Sequence, residues 1–339
     1  MIEKNLPKIF FIIGCQRSGT TLMRLVLESH SMISCVDELR SYSILRETEL
    51  LNKELKINQA KKWLGFKTPR ITEQFLEPFI ADAGADFLGM VNHYSNIPMI
   101  FLVRNPLDTI ASMKKLDQGS KSWLEIWAES TIDFWRKTIP DFDNIYREEI
   151  RLLENTKFKA TVAGAIYWKI KTSSYYNYAN KTSQIILVFY ENLVTKPIPT
   201  ISTILNFLDV SWEDAVLKHE KLLHPELDET GLAIGKTDPR LPIHTSSLNQ
   251  YSEYLSKEEI SEIIKITGEL MIKLGYDVKK YYLSNSTEQS EFLSTKVIQF
   301  TQNDSLERLL RLLMYYNKAI ADLYLQITSL QSSLENYNK

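Results

Sequence analysis

The sequence predicts a three-layer α/β domain on a central, mostly parallel sheet, followed by a C-terminal coiled-coil helix. Three observations carry that expectation. Short apolar runs recur along the chain, each followed by a turn and then a helical pattern. The first run enters a loop bracketed by two glycines, the opening of a strand–turn–helix unit. Beyond residue 304 the apolar period changes to unbroken alternating steps of three and four.

The elements follow in chain order. Ile9-Phe10-Phe11-Ile12-Ile13 is short, continuous and rich in residues that suit a buried strand. After the loop Gly14–Thr21, the residues Leu22, Leu25, Val26 and Ser29 fall on one helix face. Trp63-Leu64-Gly65-Phe66 is a weaker strand candidate, leading into Lys67-Thr68-Pro69. Residues 98–103 form another, followed by Arg104-Asn105-Pro106 and a long helical stretch. Residues 184–189 form the next, followed by Tyr190-Glu191-Asn192-Leu193 and a helix carrying Ile201, Ile204, Leu205 and Leu208. Strands separated by crossovers pair in parallel, and ligands bind at their carboxyl ends. Residues 225–250, with prolines and glycines, read as a long loop of the kind that covers or binds a ligand.

Residues 1–283 are assigned to the catalytic domain, 284–304 to a polar linker and 305–339 to the coiled-coil helix. In the last, Leu306, Leu309, Leu313, Tyr316, Ile320, Leu323, Ile327, Leu330 and Leu334 make an a/d seam, which predicts a homo-oligomer.

Composition bounds the function. The chain has 339 residues, 44% hydrophobic and 24% charged, with a net charge of −2, so no global field favours nucleic acid. Cys15 and Cys35 are too few for a disulfide framework, and neither they nor the five histidines show metal-ligand spacing. No metal is expected. No segment approaches the roughly 20 apolar residues of a membrane span, and the expected compartment is the cytoplasm.

The loop Gly14-Cys15-Gln16-Arg17-Ser18-Gly19-Thr20-Thr21 has the glycine spacing of a nucleotide-phosphate loop. The lysine that would follow the second glycine in a triphosphatase is replaced by Thr20, and the cation has moved upstream to Arg17. Such a loop is poorly built for magnesium-ATP, yet it can hold an anion through its N–H groups, two hydroxyls and a guanidinium. Downstream, Arg104 leaves a strand and Ser112 follows eight residues later in a helix, so the two can converge on one phosphate.

These two motifs resemble those of the 3′-phosphoadenosine 5′-phosphosulfate (PAPS)-dependent sulfotransferases. The loop is most similar to the tyrosylprotein type, P-R-S-G-T-T-L-M-R, with Gln16 in place of proline. The resemblance implies a P-loop-like sulfotransferase fold and PAPS as donor. Arg17, Ser18, Thr20, Thr21, Gly14, Gly19 and Gln16 would then surround the 5′-phosphosulfate, and Arg104 and Ser112 the 3′-phosphate. Cys35-Val36-Asp37-Glu38-Leu39-Arg40 resembles the family segment C-G-E-E-T-R, whose second acid is the catalytic base. That role falls on Glu38, with Asp37 as its rival. Lys67 resembles the lysine that touches the transferring group, and Val188–Val194 the family's Y-E-(D/Q/N)-L-V, with Tyr190 near the nucleotide. Lys236 and Thr237 stand where the family closes over the donor.

The expected reaction is in-line transfer of a sulfuryl group to an acceptor hydroxyl. The acceptor stays open between a protein tyrosine, a saccharide, a lipid and a small-molecule alcohol. The family's second substrate-facing arginine, four residues after Arg40, is Ile44 here. Two other readings are a P-loop kinase-like enzyme and a non-catalytic coiled-coil scaffold.

Overall fold

The structure, a computed structural model, describes residues 6–70, 97–118, 121–139, 141–222 and 237–281. The chain divides into two compact units after Val278, and every element below lies in the first. The linker and the heptad seam fall outside the described residues.

The first half of that unit contains β1 (Lys8–Gly14), α1 (Thr20–Glu28), β2 (Ile33–Val36), α2 (Glu38–Arg46), α3 (Thr48–Ile57) and β3 (Trp63–Lys67). Then come β4 (Met99–Val103), α4 (Pro106–Lys115), a two-residue hairpin of β5 (Asp117–Gln118) and β6 (Lys121–Ser122), and α5 (Trp123–Thr138). After them lie α6 (Phe142–Ile145), α7 (Arg147–Asn155), α8 (Ala160–Lys181), β7 (Ile185–Phe189), α9 (Tyr190–Thr195), α10 (Pro197–Phe207), α11 (Tyr251–Tyr254) and α12 (Lys257–Lys273).

Five strands form one sheet in the order β2-β3-β1-β4-β7, and every neighbouring pair is parallel. From the central β1 the chain goes first to one side of the sheet and later to the other. That reversal opens a crevice at the carboxyl end of β1, where parallel sheets receive ligands.

Alternation along β1 separates two apolar layers. Phe10 and Ile12 pack with Met23, Val26 and Leu27 of α1 and with Ile201, Ile204 and Leu205 of α10. Phe11 and Ile13 point the other way, toward Tyr42, Ile44 and Leu45 of α2 and Tyr178 of α8. Each fully buried side chain of this size stabilises the fold by about 1.5–3 kcal/mol. The strands read from the apolar runs are present, two of them one residue shorter at the start.

Two details differ from expectation. The helix face drawn through Leu22, Leu25, Val26 and Ser29 is too narrow. Met23 and Leu27 are fully buried, Leu22 is only partly so, and Ser29 is the C-cap, because neighbours cover α1 on several sides. β2, Ile33-Ser34-Cys35-Val36, was not anticipated. Four residues with a polar second position carry too little periodicity to reveal a strand, and its identity comes from pairing with β3. Among the described residues, no helix is long and apolar enough to cross a membrane.

Candidate active site

The loop after β1 turns sharply over two glycines and one arginine. Gly14 has φ 134°, and a Cβ there would lie 2.2 Å from the Leu102 carbonyl oxygen of β4. Gly19 has φ 95°, and a Cβ there would lie 2.4 Å from the Tyr190 ring. Between them Arg17 takes a left-handed φ of 68°, a conformation that costs a non-glycine residue about 1–3 kcal/mol. The Ser18 amide and hydroxyl both donate to the Cys15 carbonyl, closing the turn from below. Helix α1 then starts at Thr20 with no side-chain cap and no acid in its first turn, so its N-terminal amides suit an anion.

The two arginines of the sequence motifs meet here. Arg17 Nε donates to Ser112 Oγ at 3.1 Å, and Arg104 Nη1 donates to the Arg17 carbonyl at 3.1 Å. Arg104 Nη2 donates to the Ser247 carbonyl, and its guanidinium lies over the Tyr190 ring at 4.6 Å. Its carbonyl accepts from the indole N–H of buried Trp168 at 3.0 Å, fixing the end of β4. Arg104 Nε is buried without a hydrogen-bond partner, an orphan donor of the kind an anionic ligand satisfies. Burial and then the nearby Arg104 charge lower the pKa of Arg17 to about 10. Glu191 explains the rest of the Tyr-Glu-Asn motif. It accepts from the Asn105 amide at 2.8 Å and the Tyr276 hydroxyl at 3.1 Å, bracing the turn behind Arg104.

Arg17, Gly19, Thr20, Thr21, Arg104, Ser112 and Tyr190 line one pocket, and Thr237, His244, Ser247 and Gln250 supply a further wall of it, the far wall in chain order. That far wall is strapped down by Asp108 of α4, whose carboxylate accepts the amides of Asn249 at 2.9 Å and Tyr251 at 3.1 Å.

Beside the loop lies a second cluster. Thr68 N–H donates to the Ile12 carbonyl at 2.9 Å, so the end of β3 sits against the start of the loop. There Lys67 Nζ donates to Glu38 Oε2 at 2.8 Å and Arg70 Nε to Glu38 Oε1 at 2.7 Å, all three side chains buried. Burial alone would raise the Glu38 pKa, but Lys67 and Arg70 outweigh it and hold the carboxyl at about 2. Burial lowers the pKa of Lys67, and Glu38 partly restores it. Asp37 is occupied differently. It is the N-cap of α2 and accepts the amides of Leu39 and Arg40 at 3.0 and 3.2 Å.

The structure therefore gathers most of the residues singled out in the sequence, with a division of labour. Gly14, Gln16 and Ser18 shape the loop from beneath and do not line the pocket. Glu38 and Lys67 form the adjoining cluster, coupled to the pocket through the charge of Arg17. Lys236 lies outside the described residues. Sequence reasoning missed Arg70, Asp108, His244 and Gln250. Arg70 stood three positions after Lys67, and no spacing rule marked it out.

Comparison with known proteins identifies relatives of this chain. The sulfotransferase domain family matches residues 7–273. Protein-tyrosine sulfotransferase 2 of Gallus gallus is 27% identical over 289 residues, covering 81% of this chain and 71% of that protein. Protein-tyrosine sulfotransferase A of Caenorhabditis elegans is 24% identical over 274 residues, covering 79% and 67%. The solved sulfotransferase domain from the curacin biosynthetic pathway superposes with a TM-score of 0.48 at 19% identity, covering 78% of this chain and 98% of that one.

Proposed function

The chain belongs to the sulfotransferase domain family, and from that premise we propose that it moves the sulfuryl group of PAPS onto the hydroxyl of a protein tyrosine. The observation that carries the donor half is the 3.1 Å contact between Arg17 and Ser112, with Arg104 bonded to the same loop. Two anion grips distant in sequence face one pocket, as a nucleotide carrying phosphates at both ends of its ribose requires. The tyrosine half rests on the relatives, which are named for that acceptor.

The residues divide the work. Arg104 and Ser112 hold the 3′-phosphate, with Thr237 beside them, and Tyr190 backs the nucleotide. The α1 amides, Thr20 and Thr21 hold the 5′ end. The donor, when bound, supplies a sulfur with a phosphate leaving group. Glu38 takes the proton from the acceptor hydroxyl, which makes its oxygen a nucleophile. Arg17 and Lys67 offset the negative charge that builds on the transferring group and the departing phosphate oxygen. Asp37, committed to capping α2, is left out of the proton transfer.

The test is incubation of the full chain with labelled PAPS and a tyrosine-containing peptide, with the product mapped by mass. Sulfated tyrosine supports the reading. Transfer to p-nitrophenol or a saccharide alcohol, with the peptide untouched, overturns the acceptor and keeps the chemistry. Phosphate transfer from ATP, with none of sulfate from PAPS, overturns both.

A further inference from the structure

Glu38 has a separate cation on each oxygen, Lys67 on Oε2 and Arg70 on Oε1. One of these cations has two duties. On the functional reading above, Lys67 must offset charge on the transferring group, and its ammonium cannot do that fully while bound to Glu38. If Lys67 were the only partner, its departure would strand a buried carboxylate. Such a group takes a proton from water and stops being a base.

We propose that Arg70 is the positioning residue for the base: it keeps the Glu38 carboxylate charged and aimed while Lys67 leaves it for the donor. This rests on the assignment of Glu38 as base and Lys67 as donor contact.

The surroundings of Arg70 suit a partner that stays. Its guanidinium lies 4.3 Å from the ring of Trp127 on α5, which in turn stacks on Trp123 at 5.7 Å. Its amide donates to the Tyr42 hydroxyl of α2 at 2.9 Å, and the preceding Pro69 carbonyl accepts from buried Lys171 of α8 at 2.6 Å. Three helices thus pin the turn. A guanidinium also remains charged when buried, whereas an ammonium readily loses its proton there. Among the described residues, the charged groups around Glu38 are Lys67 and Arg70 on β3 and its turn, Arg17 on the loop and Asp37 one residue before it. Lys171 stands behind Pro69, and Arg24 of α1 acts on Lys67.

The step balances. The acceptor O–H proton passes to Glu38, and the acceptor oxygen forms the new O–S bond. The S–O bond to the 5′-phosphate breaks, its electron pair leaving with the phosphate beside Lys67. Glu38 then returns its proton to water.

The experiment is titration calorimetry of 3′-phosphoadenosine 5′-phosphate into full-length wild type, Arg70→Gln and Arg70→Lys, in buffers of different ionisation heat. Alongside it, the pH profile of sulfate transfer is measured with the tyrosine peptide, or with p-nitrophenol if the peptide is not sulfated. In Arg70→Gln, nucleotide binding should take up close to one more proton than in wild type, and adding Glu38→Gln should abolish that excess. Nucleotide affinity should stay within about threefold. At neutral pH kcat should fall tenfold or more, with the deficit shrinking toward pH 9, and Arg70→Lys should lie between. Equal proton uptake, with a loss of kcat that is the same at every pH, overturns the proposal and leaves Arg70 a structural brace. If Arg70→Gln does not fold, Trp127→Leu carries the same test, because it loosens the guanidinium without removing it. A smaller excess of the same sign supports the proposal, and none overturns it. Failure of the functional reading looks different, because wild type would then transfer no sulfate or Glu38→Gln would keep full activity.

Discussion

The donor pocket and the cluster beside it use the same currency of buried cations in opposite ways. In the pocket the arginines meet neutral oxygens, a serine hydroxyl for Arg17 and two main-chain carbonyls for Arg104. In the cluster two cations share one carboxylate, which offsets part of their charge. A neutral oxygen yields to a phosphate at little cost, whereas a buried ion pair yields only when another partner takes over. The pocket is therefore arranged to receive a charge and the cluster to keep one until it is needed.

The sharpest way to break this contrast is Glu38→Gln. It should lower kcat about a thousandfold, within the range of lost general bases, while nucleotide affinity changes little. Radiolabelled transfer and calorimetry check it together, and a variant that transfers sulfate normally ends the base assignment.

Acid tests the same carboxylate without changing the residue. Glu38 titrates at about 2 in the folded chain, against an ordinary 4.5. A depressed carboxyl stabilises fully above its ordinary value, and its contribution is lost as pH falls through the folded one. Glu38 should account for ~3 kcal/mol of the stability lost across that window, read as the difference between wild type and Glu38→Gln in denaturant midpoints at stepped pH. Glu38→Gln should show a shallower fall, since it has nothing to protonate there.

On the pocket side, Arg104→Ala should weaken nucleotide binding by about 2 kcal/mol, roughly thirtyfold. The loss should be much smaller for adenosine 5′-phosphosulfate, which lacks the 3′-phosphate. An equal loss for both would move Arg104 away from that phosphate.

The smallest effect belongs to Asp37→Ala. Removing the α2 cap should cost about 1 kcal/mol of stability, read from thermal unfolding, with transfer within a few-fold of wild type. A large loss of kcat at normal stability would hand the proton to Asp37.

The same contrast governs what could be read from the sequence. The pocket comes from two local patterns, a glycine turn after a strand and an arginine followed by a helical serine, and both lie in consecutive residues. The chain's order preserved them. The positive φ of Arg17 left no such trace, because glycine is the residue that spacing rules associate with that conformation. The cluster joins the start of α2 to the turn after β3, 29 positions away from Glu38 at Lys67 and 32 at Arg70. Lys67 was visible through its resemblance to a family lysine, and Arg70 was not, since only the fold brings it to Glu38. Between the adjacent acids Asp37 and Glu38, only the family resemblance favoured Glu38 as the base. The helix start separates them, turning one carboxylate to the backbone and burying the other.

The Asp108 strap has a kinetic consequence. The helix that presents Ser112 also grips the amide hydrogens of Asn249 and Tyr251, and the segment so gripped supplies the carbonyl that Arg104 holds. In hydrogen–deuterium exchange these two amides should stand out as slow sites in an otherwise fast-exchanging stretch of turns. Their rate would serve as a clock for how often the far wall lifts, and so for how quickly a spent nucleotide can leave.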